Sequence, residues 1–169
     1  MSEEQILFTE TQRFRKWWIW LILLGVFSSV ALGAYRQIQM GIKMGDRPMS
    51  DEGIVSLVIS IIFIIVLFYV IKLETKITSD GIYLRFFPFH WQFKYYPFEN
   101  MEKVYVRKYS ALLEYGGWGI RYGIFGSGKA FNVSGNQGLQ MEMKQGRKVL
   151  IGTNKPEELS QILSTVWKK

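Results

Sequence analysis

The chain has no cysteine, one histidine, three aspartates and four prolines among its 169 residues. Without Cys there is no disulfide scaffold and no thiol chemistry. One His and so few Asp leave too little material for most metal sites and acid–base pairs. Disorder is excluded from the opposite direction, because aromatic residues make up 16% of the chain. Charge is scarce and unevenly spread. Hydrophobic residues reach 49% and mean hydropathy is +0.06, although 21 basic and 14 acidic side chains are present. The charges must therefore be segregated along the chain.

Two stretches carry none of them. Trp17 to Tyr35 (WWIWLILLGVFSSVALGAY) and Gly53 to Ile71 (GIVSLVISIIFIIVLFYVI) are each 19 residues long. As helices they would be about 28 Å long, close to the hydrocarbon thickness of a bilayer. Neither shows a polar face, so two membrane spans are expected. A secretory signal fits the first poorly: its leader holds Glu3, Glu4 and Glu10, and the apolar run opens on Trp17, Trp18 and Trp20. The tryptophans read instead as an interfacial belt on an uncleaved anchor.

Residues 1–16 and the connector 36–52 each hold three basic and three acidic residues, whereas residues 72–169 hold fifteen and eight. The whole net charge of +7 lies in that last part. The expected organisation is a cytoplasmic segment 1–16, spans 17–35 and 53–71, an external connector 36–52 and a cytoplasmic domain 74–169. Both termini then lie in the cytoplasm, the side on which Arg13, Arg15, Lys16, Lys72 and Lys76 flank the spans, against Arg36, Lys43 and Arg47 in the connector. Gly25, Ser29 and Gly33 share one face of the first span, and Ser56 and Ser60 one face of the second. Small faces of this kind let helices approach closely, within the hairpin or between two copies. No charge lies inside either span, so nothing indicates a transport path.

Residues 74–169 read as short strands and turns closed by one helix. Lys76 to Arg85 is a strand, a tight Asp80-Gly81 turn and a second strand, with Gly81 expected at positive φ. Met101–Tyr109 and Leu139–Met143 alternate as half-buried strands, and Gln145-Gly146-Arg147 turns the chain into Lys148–Thr153. Leu159, Ile162, Leu163, Val166 and Trp167 form one helical stripe after Pro156, with Glu157 and Glu158 at its start and Lys168 and Lys169 at its end. An antiparallel sheet or barrel plugged by that helix is the expected fold. The layout and the motifs T-K-I-T-S-D-G-I-Y-L-R, F-E-N-M-E-K-V-Y-V-R and I-G-T-N-K-P-E-E-L resemble the bacterial PH-like membrane proteins. That resemblance implies an α+β membrane protein of the bacterial inner membrane: a transmembrane helical hairpin, then a PH-like bent seven-stranded antiparallel sheet capped by the C-terminal helix. The phosphoinositide-binding basic loop of eukaryotic PH domains has no counterpart in the tight Ser79-Asp80-Gly81 turn.

Three surface features invite functional readings. Gly123 to Lys129 fits G-x-x-x-x-G-K, but Ala130 stands where a phosphate-binding loop needs Ser or Thr, and Phe131 to Gly135 is a poor helix start. Tyr115–Gly138 holds eight of the sixteen glycines. It reads either as a strongly curved sheet or as a partner-binding rim formed by Trp118, Arg121 and Lys129. Phe87-Pro88-Phe89-His90-Trp91 reads as a turn that dips into the membrane interface, with Arg85, Phe89, Trp91 and Lys94 as contacts. His90, alone, has no catalytic partner.

The expectation is a protein with no catalytic residues, metal or cofactor. Its PH-like domain would be a membrane-anchored protein-interaction or oligomerisation module, with lipid, a second copy or another membrane protein as partner, and neither nucleic acid nor nucleotide. One alternative is a reader of anionic lipid surface that uses Arg85, Trp91 and Lys94 with Trp118 and Arg121. The other is an enzyme or nucleotide-dependent switch that uses Lys129.

Overall fold

A computed structural model describes residues 5–14, 17–42, 48–123 and 126–167. Arg15 and Lys16, connector residues 43–47, Ile124 and Phe125 of the G-x-x-x-x-G-K run, and the terminal lysines lie outside these. The chain forms two units: Arg15–Val70, and Met1–Phe14 together with Ile71–Lys169.

The first unit is a pair of helices, α1 (Trp17–Met40) and α2 (Asp51–Val70). Both extend further into the connector than their uncharged cores. Ser50 caps α2, accepting the Gly53 N–H at 3.2 Å, and Asp51 and Glu52 occupy its first turn. Gln37 of α1 donates to the Met49 carbonyl and to Asp51 Oδ1, both at 2.8 Å, which ties the far end of α1 to the start of α2. At about 36 and 30 Å the helices are long enough to cross a membrane. Only 11% of each apolar window is buried, unlike a core helix of a soluble protein.

Gly33, Ala34 and Gln37 of α1 and Ile54 and Ile61 of α2 are the buried residues of the pair. Of the small residues expected to pack the hairpin, only Gly33 is among them. Gly25, Ser29, Ser56 and Ser60 face outward. The Ser29 and Ser60 hydroxyls donate to carbonyls of their own helices, Val26 and Ser56, and need no neighbour.

The second unit begins before the helices. Strand β1 (Phe8–Arg13) pairs antiparallel with β2 (Lys72–Ile77), with Phe8 opposite Ile77 and Arg13 opposite Lys72. β3 (Gly81–Phe87) and β4 (Lys94–Pro97) complete a four-stranded sheet in the order β1-β2-β3-β4. The unit thus reaches outside the expected 74–169 at both ends of the hairpin. Leu73, Ile77, Ile82, Leu84 and Phe86 form its buried face. β1 turns Phe8, Glu10 and Gln12 inward. Glu10 accepts the Thr153 hydroxyl at 2.7 Å and the Asn154 N–H at 2.8 Å, and Gln12 donates to the Gly152 carbonyl at 2.6 Å. Thr153 accepts in turn from the Lys155 N–H, at the head of the C-terminal helix.

A second sheet follows, built of β5 (Met101–Lys108), β6 (Gly119–Tyr122), β7 (Lys129–Asn132), β8 (Gln137–Met143) and β9 (Lys148–Gly152) in the order β5-β8-β9-β7-β6. A short helix, α3 (Ala111–Tyr115), separates β5 from β6. Among the described residues, the expected seven antiparallel strands are replaced by nine in two sheets. β9 enters between β8 and β7 and therefore runs parallel to β7. At their start a side chain on Gly128 would strike the Lys148 backbone. The last helix, α4 (Pro156–Val166), buries Leu159 and Leu163 and packs on β5 and β8.

The first hairpin turn lies one residue earlier than its Asp-Gly signal implies. Thr78 N–H donates to the Gly81 carbonyl, so Ser79 and Asp80 make the turn. Gly81 opens β3, and it is not among the positive-φ glycines. Its glycine serves close approach: a Cβ there would lie 2.5 Å from the Tyr96 carbonyl and 3.0 Å from Pro97 Cα. Replacing Gly81 by Val is expected to destabilise the full chain in detergent by about 3 kcal/mol, an overpacking penalty against backbone. Gly146→Asn, in open space at φ +77°, should cost less than about 0.5 kcal/mol. Denaturant unfolding of both variants checks the contrast.

Candidate functional site

Two surfaces of the β unit gather the residues singled out from the sequence. The first is α3 with the edge strand β6. Ser110 caps α3, accepting the Leu113 N–H, while Glu114 Oε1 accepts the Ser110 N–H at 2.8 Å. Arg107 donates to Glu114 Oε2 at 2.7 Å and to Tyr115 Oη at 3.2 Å. Gly116, at φ +68°, closes the helix in a conformation that favours glycine. Ala111 and Tyr115 point into a small core with Tyr109, Ala130 and Leu150. That fixes the helix so that Leu112 and Leu113 stand outward, 61% and 81% exposed.

Among the described residues β6 pairs only with β7, so its other edge has no described strand beside it. Trp118 and Tyr122 are exposed beside it. The expected partner residues Trp118, Arg121 and Lys129 all fall on this hairpin, but two are engaged locally. Arg121 Nε donates to the Trp118 carbonyl at 3.0 Å. Lys129 Nζ sits about 5 Å from the ring centres of both Tyr122 and Phe131. It opens a strand, so no helix N-terminus follows the G-x-x-x-x-G-K run. Leu112, Leu113 and Tyr122 were not singled out from the sequence. The pattern Ser110-Ala-Leu-Leu-Glu114-Tyr-Gly-Gly, a capped helical turn stopped by glycine, is the signal that would have found the leucines.

The second surface is the turn between β3 and β4. Phe89 and Trp91 are 58% and 76% exposed, yet both lean on neighbours: Trp91 meets Phe87 edge-on at 5.4 Å, and Phe89 lies 6.1 Å from Phe86. Arg85 points to the outer sheet face, where its Nε donates to Glu74 at 2.6 Å and its guanidinium covers the Phe93 ring at 4.5 Å. Lys72 joins the same carboxylate at 3.1 Å. Burial raises the Glu74 pKa, but the hydrogen bonds from Arg85 and Lys72 outweigh it and hold the carboxyl below its ordinary value. Lys94 opens β4, exposed and opposite Leu84. The four expected interface residues are thus brought to one end of one sheet, with Arg85 already paired.

Elsewhere, an open polar cleft of about 210 Å³ is lined by Tyr105, Arg107, Ser127, Gln140, Glu142 and Lys148. Its polar groups largely bond to one another: Tyr105 to Glu142 at 2.9 Å and Arg107 to Gln140 at 3.1 Å. Among the described residues, no group of three or more His, Asp or Glu is placed to hold a metal.

His90 is turned inward, edge-on to Phe131 at 5.6 Å, and its Nδ1 is shielded with no hydrogen-bond partner among the described residues. Burial, then the charges of Lys94 and Lys129, push its pKa down. The unfolded chain therefore binds this proton more readily than the folded one. Stability is full above the ordinary value near 6.5 and is lost as pH falls towards the lowered one. Thermal unfolding between pH 7.5 and 5.5 should show Tm falling in the parent and a flatter profile in His90→Phe. Parallel profiles would assign the loss to another group.

No curated protein matches the chain. Residues 3–168 match the family of unknown function DUF6141, nearly the whole sequence, and the chain belongs to that family.

Proposed function

We propose that the chain is a non-enzymatic integral membrane protein whose helical hairpin anchors a PH-like interaction module. The module meets its partner, a second copy or another membrane protein, through α3 and the edge of β6. The carrying observation is the pair Leu112 and Leu113. Two leucines stand in solvent on a helical turn that capping, an ion pair and a buried tyrosine hold still. An exposed apolar group on a rigid support, next to an open strand edge, is what a partner surface presents.

The PH-like reading is supported by the two packed sheets and by α4 lying against one of them. The membrane placement is supported by the two apolar helices and by the pairing of Arg13 with Lys72. Strands of one sheet lie on one side of a bilayer, so the chain enters α1 and leaves α2 on that side. Arg13, Arg15, Lys16, Lys72 and Lys76 flank the spans on that side, against Arg36, Lys43 and Arg47 in the connector, which supports its being the cytoplasm, and the resemblance to the bacterial PH-like proteins supports a bacterial inner membrane.

Because the chain has no native Cys, single cysteines test the topology directly. Thr9→Cys and Gln145→Cys should react with an impermeant maleimide only in inverted vesicles, and Met49→Cys only in intact cells. Labelling of Thr9→Cys and Gln145→Cys from opposite sides would end this reading. For the surface itself, a photo-crosslinking residue at Leu113 of the full chain in its membrane should give one discrete adduct. Leu112→Asp, read by a crosslinker at Tyr122, should abolish the adduct without lowering Tm. Adducts equal to those from an exposed control at Lys144 would refute the partner surface.

A further inference from the structure

The turn between β3 and β4 lies at a particular end of its sheet. β1 runs towards the helices and ends at Arg13, four residues before α1 begins. β2 starts at Lys72, two residues after α2 ends. Arg13 pairs with Lys72, and Lys72 pairs with Phe87. Three strand ends are therefore neighbours, about 5 Å apart from strand to strand. Two peptide units span at most about 7.6 Å, so the Lys72 end lies within that reach of the last residue of α2. The opposite hairpin turn, Ser79-Asp80, is at the far end of β2 and β3.

The turn that follows Phe87 is thus tied by register to Lys72, two residues along the chain from the last residue of α2. Its tip is Phe89 and Trp91, exposed and braced from behind by Phe86 and Phe87. Around it stand Arg13, Lys72, Arg85 and Lys94, of which Lys72 and Arg85 share the Glu74 carboxylate. An aromatic tip ringed by cations suits the bilayer interface: the rings favour the boundary between headgroups and acyl chains, and the cations meet lipid phosphate.

We infer that Phe89 and Trp91 seat in the headgroup–acyl boundary of the membrane that the hairpin crosses, with Lys72, Arg85 and Lys94 facing the phosphates. The β unit is then held against the bilayer at three adjacent strand ends, not tethered by two. The inference rests on the hairpin spanning a bilayer, and the test separates the two. Nitroxide labels are placed singly at Phe89→Cys, Ile59→Cys and Gln145→Cys of the full chain in phospholipid vesicles. Accessibility to oxygen, which partitions into acyl chains, is compared with that to a water-soluble nickel chelate. The Phe89 label should shift towards oxygen relative to the Gln145 label. That shift should be lost when Trp91→Asp is added, with Tm unchanged. An oxygen-rich Ile59 label with a nickel-accessible Phe89 label overturns the seating and leaves the anchor. A nickel-accessible Ile59 label overturns the anchor, and the seating with it. Shielding of the Phe89 label from both reagents overturns the seating in favour of a protein cover.

Discussion

The pairing of β1 with β2 is the contact on which the rest of the β unit depends. The chain leaves the sheet at Arg13, makes the helical pair, and returns at Lys72 directly opposite. Closing so long an excursion costs entropy, but the cost grows only slowly with length, and the hairpin orders most of that excursion by local contacts. What holds β1 in place is unusual for an edge strand. Two of its three inward residues are polar, and Glu10 reaches the loop between β9 and α4. A buried carboxylate is tolerated only when its hydrogen bonds are met. Here they are met by Thr153 and Asn154, which also position the first turn of α4 through the Lys155 N–H. The segment before the helices thereby organises the residues that end the second sheet.

Several charges in this unit are committed to partners. Arg85 and Lys72 share Glu74, Arg107 holds Glu114, and Lys129 lies over two rings. Such pairs cancel charges of opposite sign one for one, so the net excess of +7 remains unneutralised by the chain itself. These pairs are partly solvated, and each adds little to stability alone. Their effect is geometric. They fix Glu74, Arg85 and Phe93 on the outer face of the first sheet and the α3 turn on the second. In that way they present two apolar tips, Phe89/Trp91 and Leu112/Leu113, on rigid supports. Apolar side chains held in water by their own scaffold gain most from whatever covers them, because little ordering remains to oppose binding.

Much of this was legible beforehand where burial is one-sided and local. Two uncharged runs read as helices because a membrane-length apolar stretch has few other uses. β2, β3, β5, β8, β9 and α4 read correctly because period-2 and period-3.6 patterns survive in them. β1 did not read, because its buried face is Phe8, Glu10 and Gln12, and alternation of hydrophobicity vanishes when the inward groups are polar. α3 did not read either, since five residues are too few to show a period. Of the small residues of the spans only Gly33 is buried within the hairpin, for a related reason. Spacing puts Gly25, Ser29 and Gly33 on one face, but only contacts select which face meets α2.

By itself, then, the sequence determined the number and approximate place of the apolar helices, the absence of thiol chemistry, the place along the chain of most strands and the position of the last helix. Each follows from local composition or periodicity, which act over a few residues. The tertiary structure alone decided that residues 8–13 belong to the sheet beyond the helices and that β7 and β9 run parallel. It also decided that Gly81 is needed for the approach of Tyr96, and that Arg85 faces Glu74. Those outcomes depend on pairings between residues up to 144 positions apart, and no local pattern encodes which distant backbone a strand, a carboxylate or a missing side chain will meet.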